Sequence, residues 1–236
     1  MDERKLSIFE EGQVLSFNKP LYWTSFDLVN KVRIIVRSGL NIKKIKVGHA
    51  GTLDPLASGL MIICTGRATK KIDEFRDLDK EYVATFHLGE TTPSFDLETE
   101  TDQRYPTDHI TEESVIRALD SFKGEQNQLP PQYSAKMVDG KRAYENARNG
   151  KVTELSPVPV CFHEIELLNY NMPEVTVRLR CSKGTYIRSF ARDFGVALGS
   201  GAYLSALERT AIGSYSVNDS FTIEGFQEYV NSIKNQ

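Results

Sequence analysis

The chain has 236 residues, 40% hydrophobic, 26% charged and 10% aromatic, the make-up of a folded globular protein whose core needs no disulfide or metal staple. No apolar run approaches the roughly 18 residues of a membrane-spanning helix, the start lacks a signal-peptide stretch, and Cys64, Cys161 and Cys181 with four scattered histidines give no CxxC pair or zinc-like spacing, so buried thiols in a reducing cytoplasm are expected. The net charge of −3 is uneven: residues 1–71 hold 12 basic and 6 acidic side chains, 72–125 hold 5 and 15, 126–192 hold 10 and 6, and 193–236 hold 2 and 5, which permits a basic face for a polyanion built from the first and third blocks.

Residues 13–18 alternate like a strand and stop at Lys19-Pro20. Thr24-Ser25 can cap a helix whose apolar stripe is Phe26, Val29, Val32, Ile35 and Val36, with Gly39 as its stop. Residues 44–47 form a short strand candidate. A loop from His49 to Gly59 follows, and then Leu60 to Cys64 reads as a strand buried on both faces. Residues 69–78 suggest a short helix. Lys80 to Leu88 alternates, with Tyr82, Ala84, Phe86 and Leu88 on one face.

Residues 89–110 are acidic and Thr-rich, a long excursion of the kind that is often functional. Thr111 caps a helix with Val115, Ile116, Leu119 and Phe122 as its core face. A short helix is predicted over 141–149. Residues 158–170 and 174–181 read as a hairpin turned at Asn171-Met172-Pro173. Lys183-Gly184-Thr185 opens a helix carrying Tyr186, Ile187, Phe190, Phe194 and Leu198, and a strand over 203–215 and a helix over 223–233 complete the chain. Most neighbouring strands lack a crossover helix, so the fold class is α+β, with a mainly antiparallel sheet flanked by helices and loops.

Asp54 sits in the middle of the Gly-rich loop. Asp-Pro is a common turn dipeptide, and on that alone its carboxylate would only tie a backbone N–H. The surroundings argue for more. His49, Gly51, Thr52, Ser58 and Gly59 share the loop, which feeds a buried strand and can hold one carboxylate rigidly at a sheet rim.

The segment Gly48-His49-Ala50-Gly51-Thr52-Leu53-Asp54-Pro55-Leu56-Ala57-Ser58-Gly59 resembles the catalytic motif of the TruB family of tRNA pseudouridine-55 synthases. Lys19-Pro20 with Thr24-Ser25, Lys80-Glu81-Tyr82, the blocks 128–136 and 144–150, Cys181 to Ser189, and Ala202 to Thr210 resemble its other motifs, in the family's order. Together they span about 13–215. The resemblance implies a pseudouridine synthase fold and a single catalytic domain over 1–236, with 89–110 as an RNA-contacting insertion. It implies isomerisation of uridine 55 in the tRNA T loop on a flipped-out base, with no cofactor and no metal.

By the same resemblance Asp54 is the catalytic residue, and substrate-binding falls to His49, Tyr82, Tyr186, Arg188 and Leu207. Arg188 would pair with Asp54 and keep it charged. Tyr82 would stack on the base. Lys19, Lys136 and Lys183 are candidate phosphate partners. In the acidic insertion Glu90, Asp96, Glu98, Glu100 and Asp102 would repel phosphates, leaving Thr91, Thr92, Ser94 or Phe95 to touch RNA. Many family members carry a C-terminal PUA domain, which is not expected here. The partner expected is the T stem-loop of tRNA, with no membrane and no protein partner required, and the protein is expected to be a cytoplasmic monomer. A rival from another class is a tRNA-binding folding chaperone without chemistry. A third reading, an rRNA-modifying synthase within a guide-RNA particle, usually needs the PUA domain to hold the guide RNA and is disfavoured by that domain's expected absence. The joint presence of Asp54, Tyr82 and Arg188 argues for the enzyme.

Overall fold

The alternating and buried-run patterns of the sequence become strands of a mainly antiparallel sheet, and the α+β class is as expected. The computed structural model describes residues 7–134, 137–138, 141–142, 146, 151 and 153–234. The chain divides into two compact units, one made of residues 1–81 and 208–236 and the other of 82–207.

In the first unit, helix α1 (Ile8–Glu11) leads into strand β1 (Val14–Lys19). Helix α2 (Ser25–Gly39) follows, with the capping box foreseen at Thr24: its hydroxyl accepts the Asp27 N–H while the Asp27 carboxylate accepts the Thr24 N–H. The buried stripe is Leu28, Val29, Val32, Ile35 and Val36, and Phe26 stands out to solvent at 63% exposure. Phe26 is set on the outer side because Ser25, one residue earlier, is turned inward to bond the loop at Leu53. Gly39 ends the helix for a packing reason: a Cβ there would run into Val230 of helix α6 (Ile223–Lys234).

Strand β2 (Val47–His49) begins later than the 44–47 expected, because its pairing with strand β3 (Ala57–Thr65) starts at Val47 opposite Thr65. Leu60 to Cys64 of β3 are buried on both faces, as the apolar run implied. β3 also pairs with β1, antiparallel, from Val14 opposite Cys64 to Lys19 opposite Gly59. The helix expected over 69–78 is split into a 3-10 turn, Gly66–Lys71, and helix α3 (Ile72–Arg76). Gly66 takes φ +50 there, and a Cβ would meet the carbonyls of Phe9 and Glu10. The aromatic cluster Phe9, Phe17, Phe221, Phe226 and Tyr229, with ring centroids 4.9–6.5 Å apart, packs α1 and α6 on the sheet.

In the second unit the alternation of strand β4 (Lys80–Leu88) is as read: Tyr82, Ala84, Phe86 and Leu88 are buried and their neighbours half-buried. The long excursion contains a small hairpin, β5 (Glu90–Thr91) with β6 (Gln103–Arg104). Helix α4 (Glu112–Ser121) buries Val115, Ala118 and Leu119, while Ile116 is exposed. Ala118, not Ile116, falls on the inward face. Strand β7 (Gly124–Gln128) follows. Residues 141–142, expected to open a helix, instead form a two-residue strand β9 (Lys141–Arg142) against β8 (Met137–Val138). Asn146, within the predicted span, is helical; the rest of that span, Tyr144 included, lies outside the described residues, as do Ala135 and Lys136.

Strands β10 (Val158–Asn171) and β11 (Glu174–Cys181) form the predicted hairpin, turned through a cis Met172–Pro173 bond. β10 pairs on its other side with β7. Helix α5 (Ile187–Ala197) stacks Phe190 and Phe194 on Phe86, with Phe122 and Phe162 around Phe190. Strand β12 (Ala202–Ile212) and the short β13 (Tyr215–Ser216) return the chain to α6.

Candidate active site

The loop between β2 and β3 contains almost no regular structure, yet it is tied at several points. The Ser25 hydroxyl accepts the Leu53 N–H at 2.9 Å and donates to the Leu53 carbonyl at 3.0 Å. One buried side chain therefore satisfies both backbone groups of the residue before Asp54. The Tyr22 N–H donates to the Pro55 carbonyl at 2.7 Å, fixing the residue after it. Asp54 closes the turn through its own carbonyl, which accepts the Ala57 N–H at 3.1 Å. Asp54 as a whole is half-buried.

Arg209 is the second clamp. It is fully buried, and its Nε donates to the Leu60 carbonyl at 2.7 Å, with its two terminal nitrogens aimed at the carbonyls of Thr52 and Gly51 at 3.3 and 3.5 Å. A guanidinium fans donors in one plane and can hold a loop and a strand together. Gly59 is required for this approach: its φ is +107, and a Cβ would strike the Arg209 backbone. At Gly51, φ +119, a Cβ would meet nothing within 4 Å, so the loop's crest is open.

Lys19 is the third fixed charge. It is buried, and its ammonium donates to the carbonyls of Pro20 at 2.9 Å and Trp23 at 2.7 Å. Burial lowers its pKa from 10.5 to about 8, opposed by the attraction of Asp54 and reinforced by the repulsion of Arg209. A phosphate contact by Lys19, expected from the sequence, would have to break these carbonyl bonds. Its observed role is to shape the 19–24 turn and to set a positive charge in the field of Asp54.

His49 ends β2. Burial lowers its pKa, with the Gly51 backbone acting the other way and Arg209 and Arg76 adding to the lowering, so the ring is neutral at pH 7. Its Nδ1 is buried without a hydrogen-bond partner among the described residues.

In the second unit Tyr82 lies on the buried face of β4. Tyr186 is the N-cap residue of α5, and Gln128 holds it: the Gln128 side chain accepts the Tyr186 N–H at 2.8 Å and donates to the Tyr186 carbonyl at 3.1 Å. Arg188 is buried in the first turn of the same helix. It donates to the Tyr133 carbonyl at 2.9 Å and faces Asp96 at 3.6 Å. Leu207 is half-buried on β12, and Lys183 is exposed.

Asp96 is the residue that sequence reasoning placed wrongly. It was grouped with the phosphate-repelling acids, but it is buried against Arg188, and its Oδ1 accepts the Glu98 N–H at 2.9 Å. Thr92 and Ser94, expected to meet RNA, are buried as well and donate to the Asp96 carbonyl at 2.6 and 3.2 Å. The one available signal was Thr92-Pro93-Ser94-Phe95-Asp96 itself, hydroxyls spaced to close a turn around an acid. Phe95 takes φ +62 and holds the Arg192 guanidinium over its ring at 5.2 Å.

Comparison with known proteins gives the family. The model of the TruB family pseudouridylate synthase N-terminal domain matches residues 37–187. A tRNA pseudouridine synthase B of Phocaeicola vulgatus is 57% identical over 222 residues, covering 94% of each chain. That of Parabacteroides distasonis is also 57% identical over 222 residues with the same coverage. Among solved structures, an H/ACA RNP bound to a substrate RNA containing 2'-deoxyuridine superposes with a TM-score of 0.69 at 26% identity over 96% of this chain, which spans 56% of that longer one. The family-model match and the identity along nearly the whole length leave one conclusion: the chain belongs to the TruB family of pseudouridylate synthases.

Proposed function

We propose that this chain converts uridine 55 in the T loop of tRNA to pseudouridine, with Asp54 as the essential carboxylate and residues 1–236 acting as one catalytic domain. The bookkeeping of the reaction is closed. The bond from ribose C1′ to uracil N1 breaks, the base turns, a bond from C1′ to C5 forms, C5 loses a proton and N1 ends with one. No electrons enter or leave, and no group is added.

The observation that carries the reading is the clamped loop. Ser25, Arg209 and the Tyr22 N–H fix the backbone on both sides of Asp54, which is itself half-buried. Such preorganisation suits a group that must meet a substrate atom without moving. In this proposal Tyr82 stacks on the flipped uracil, Tyr186 and Leu207 line its pocket, and His49, its pKa lowered by burial and so neutral, contacts the opened T loop. Arg188 is the proposed cationic partner of Asp54 with substrate bound. Unstacking the target base costs a few kcal/mol, which stacking on Tyr82 offsets in part.

The test is incubation of the purified protein with unmodified tRNA, followed by chemical mapping. The expected product is one pseudouridine, in the T loop. Binding without any pseudouridine would support the chaperone reading instead.

A further inference from the structure

Among the described residues two aromatic ones have left-handed backbones, Tyr22 at φ +67 and Phe95 at φ +62. A non-glycine residue there is disfavoured, and an aromatic one more so than Asn or Asp. For Phe95 the surroundings explain the residue: its ring carries Arg192, its N–H donates to the Thr92 carbonyl, and its carbonyl accepts the Leu204 N–H. For Tyr22 only the backbone is used, through the N–H to Pro55. Its side chain makes no hydrogen bond or ring contact among the described residues and is 74% exposed. Glycine would make the same backbone bond with less strain. The ring is therefore unexplained by folding.

Its position suggests what the ring is for. The Tyr22 amide is anchored to the residue directly after Asp54, and Leu21, one residue before it, and Phe26, four residues after it, are also exposed, at 44% and 63%. Trp23, by contrast, lines a cavity of about 490 Å3 in which Lys19 and Lys31 are balanced by Glu208 and Glu224, a mixed lining unsuited to gripping phosphate. An exposed ring next to a site that extrudes a base can take one occupant by simple chemistry, a neighbouring base. Flipping one nucleotide strips its neighbours of a stacking partner, and every base has a π-face that a tyrosine can cover.

We infer that Tyr22 is a stacking platform for an RNA base flanking the target nucleotide, a specificity-determining contact held in place by the Asp54 loop. The inference rests on the proposed tRNA-modifying activity. In it the strained turn aims the ring, and the Tyr22–Pro55 hydrogen bond keeps that aim in register with the carboxylate.

The experiment compares wild type with Tyr22→Ala, Tyr22→Gly and Tyr22→Phe on a T-stem-loop RNA, and on the same RNA with an abasic nucleotide on either side of the target uridine. Tyr22→Ala and Tyr22→Gly should raise KM about 5- to 100-fold with little change in kcat. Tyr22→Phe should behave as wild type. One abasic RNA should weaken wild-type binding and add no further loss in Tyr22→Ala. The Tm of Tyr22→Gly should be at or above wild type, because the turn is relieved; a residue kept for structure would lower it. An unchanged KM in Tyr22→Ala, or fully additive losses with both abasic RNAs, would overturn the inference while leaving the activity standing. Absence of pseudouridine with wild type on the intact RNA would overturn the activity and this inference together.

Discussion

Two carboxylates of this protein, one in each compact unit, are held in opposite ways. Asp54, in the first unit, sits on a loop tied down at its neighbours: Ser25 takes the backbone of Leu53, the Tyr22 amide takes Pro55, and Arg209 takes Thr52 and Gly51. Asp96, in the second unit, is itself buried, facing Arg188 and accepting the Glu98 N–H. One acid is kept partly open by fixing what surrounds it, and the other is consumed in fixing its surroundings. Polarity in the sequence does not separate the two roles. The partners of the adjacent backbone do.

Substitution can break this comparison at either end. The largest effect is expected for Asp54→Asn, which should reduce pseudouridine formation at least about 1000-fold, in the range seen when a reacting group is removed. The loop should stay folded in this variant, because Ser25, Arg209 and the Tyr22 N–H tie its backbone. A large fall in stability with activity retained would reverse the assignment. Asp96→Asn is the counterpart. Losing the charge opposite buried Arg188 should lower unfolding free energy by about 1–3 kcal/mol in urea titration.

Arg209→Leu comes next. It removes the donor for the Leu60, Thr52 and Gly51 carbonyls from a buried site, and about 2–4 kcal/mol of stability should go with it. Arg209→Lys should recover little, since a single ammonium cannot span three carbonyls in a plane.

How far these features were readable in advance depends on where the information sits. The alternation of Tyr82, Ala84, Phe86 and Leu88 is local, and the strand came out as read. The Leu60 to Cys64 run is local too. Phe26 and Ile116 were misplaced because helical period gives a stripe but not its centre; Ser25 and Ala118, small residues with inward roles, shift it by a position. The helix over 69–78 was interrupted by the close approach of Gly66 to α1, a contact more than fifty residues away in sequence. Asp54 stood out only through its motif, and the residues that aim it, Ser25 and Arg209, stand 29 residues before and 155 after it. Asp96 was misread because an acid in an acidic segment carries no local mark of burial.

Smaller effects sharpen the same contrast within each unit. Ser25→Ala leaves the Leu53 N–H and carbonyl buried without their partner, and Gln128→Ala does the same to Tyr186. Each should cost about 1–2 kcal/mol. Ser25→Ala should also lower kcat, because it loosens the residue next to the carboxylate, whereas Gln128→Ala should act mainly on KM through the Tyr186 pocket wall. Equal effects on both constants in both variants would mean that neither tie aims a reacting group.

The smallest expected effect is a slope. Lys19 has its pKa lowered by burial from 10.5 to about 8. Between those values the unfolded chain binds more protons at this group than the folded one does, so folding stability contributed by Lys19 rises as pH increases from about 8 towards 10.5 and is flat below about 8. Wild type and Lys19→Met, followed by urea unfolding at pH 7, 8, 9 and 10, should diverge in that window, with the wild type gaining relative to the variant. Lys19 and Asp54 also attract one another, so deprotonation of Lys19 above pH 8 should weaken the field at the carboxylate and lower the rate over the same interval. Parallel curves for the two proteins would place the Lys19 charge in water and detach it from the Asp54 loop.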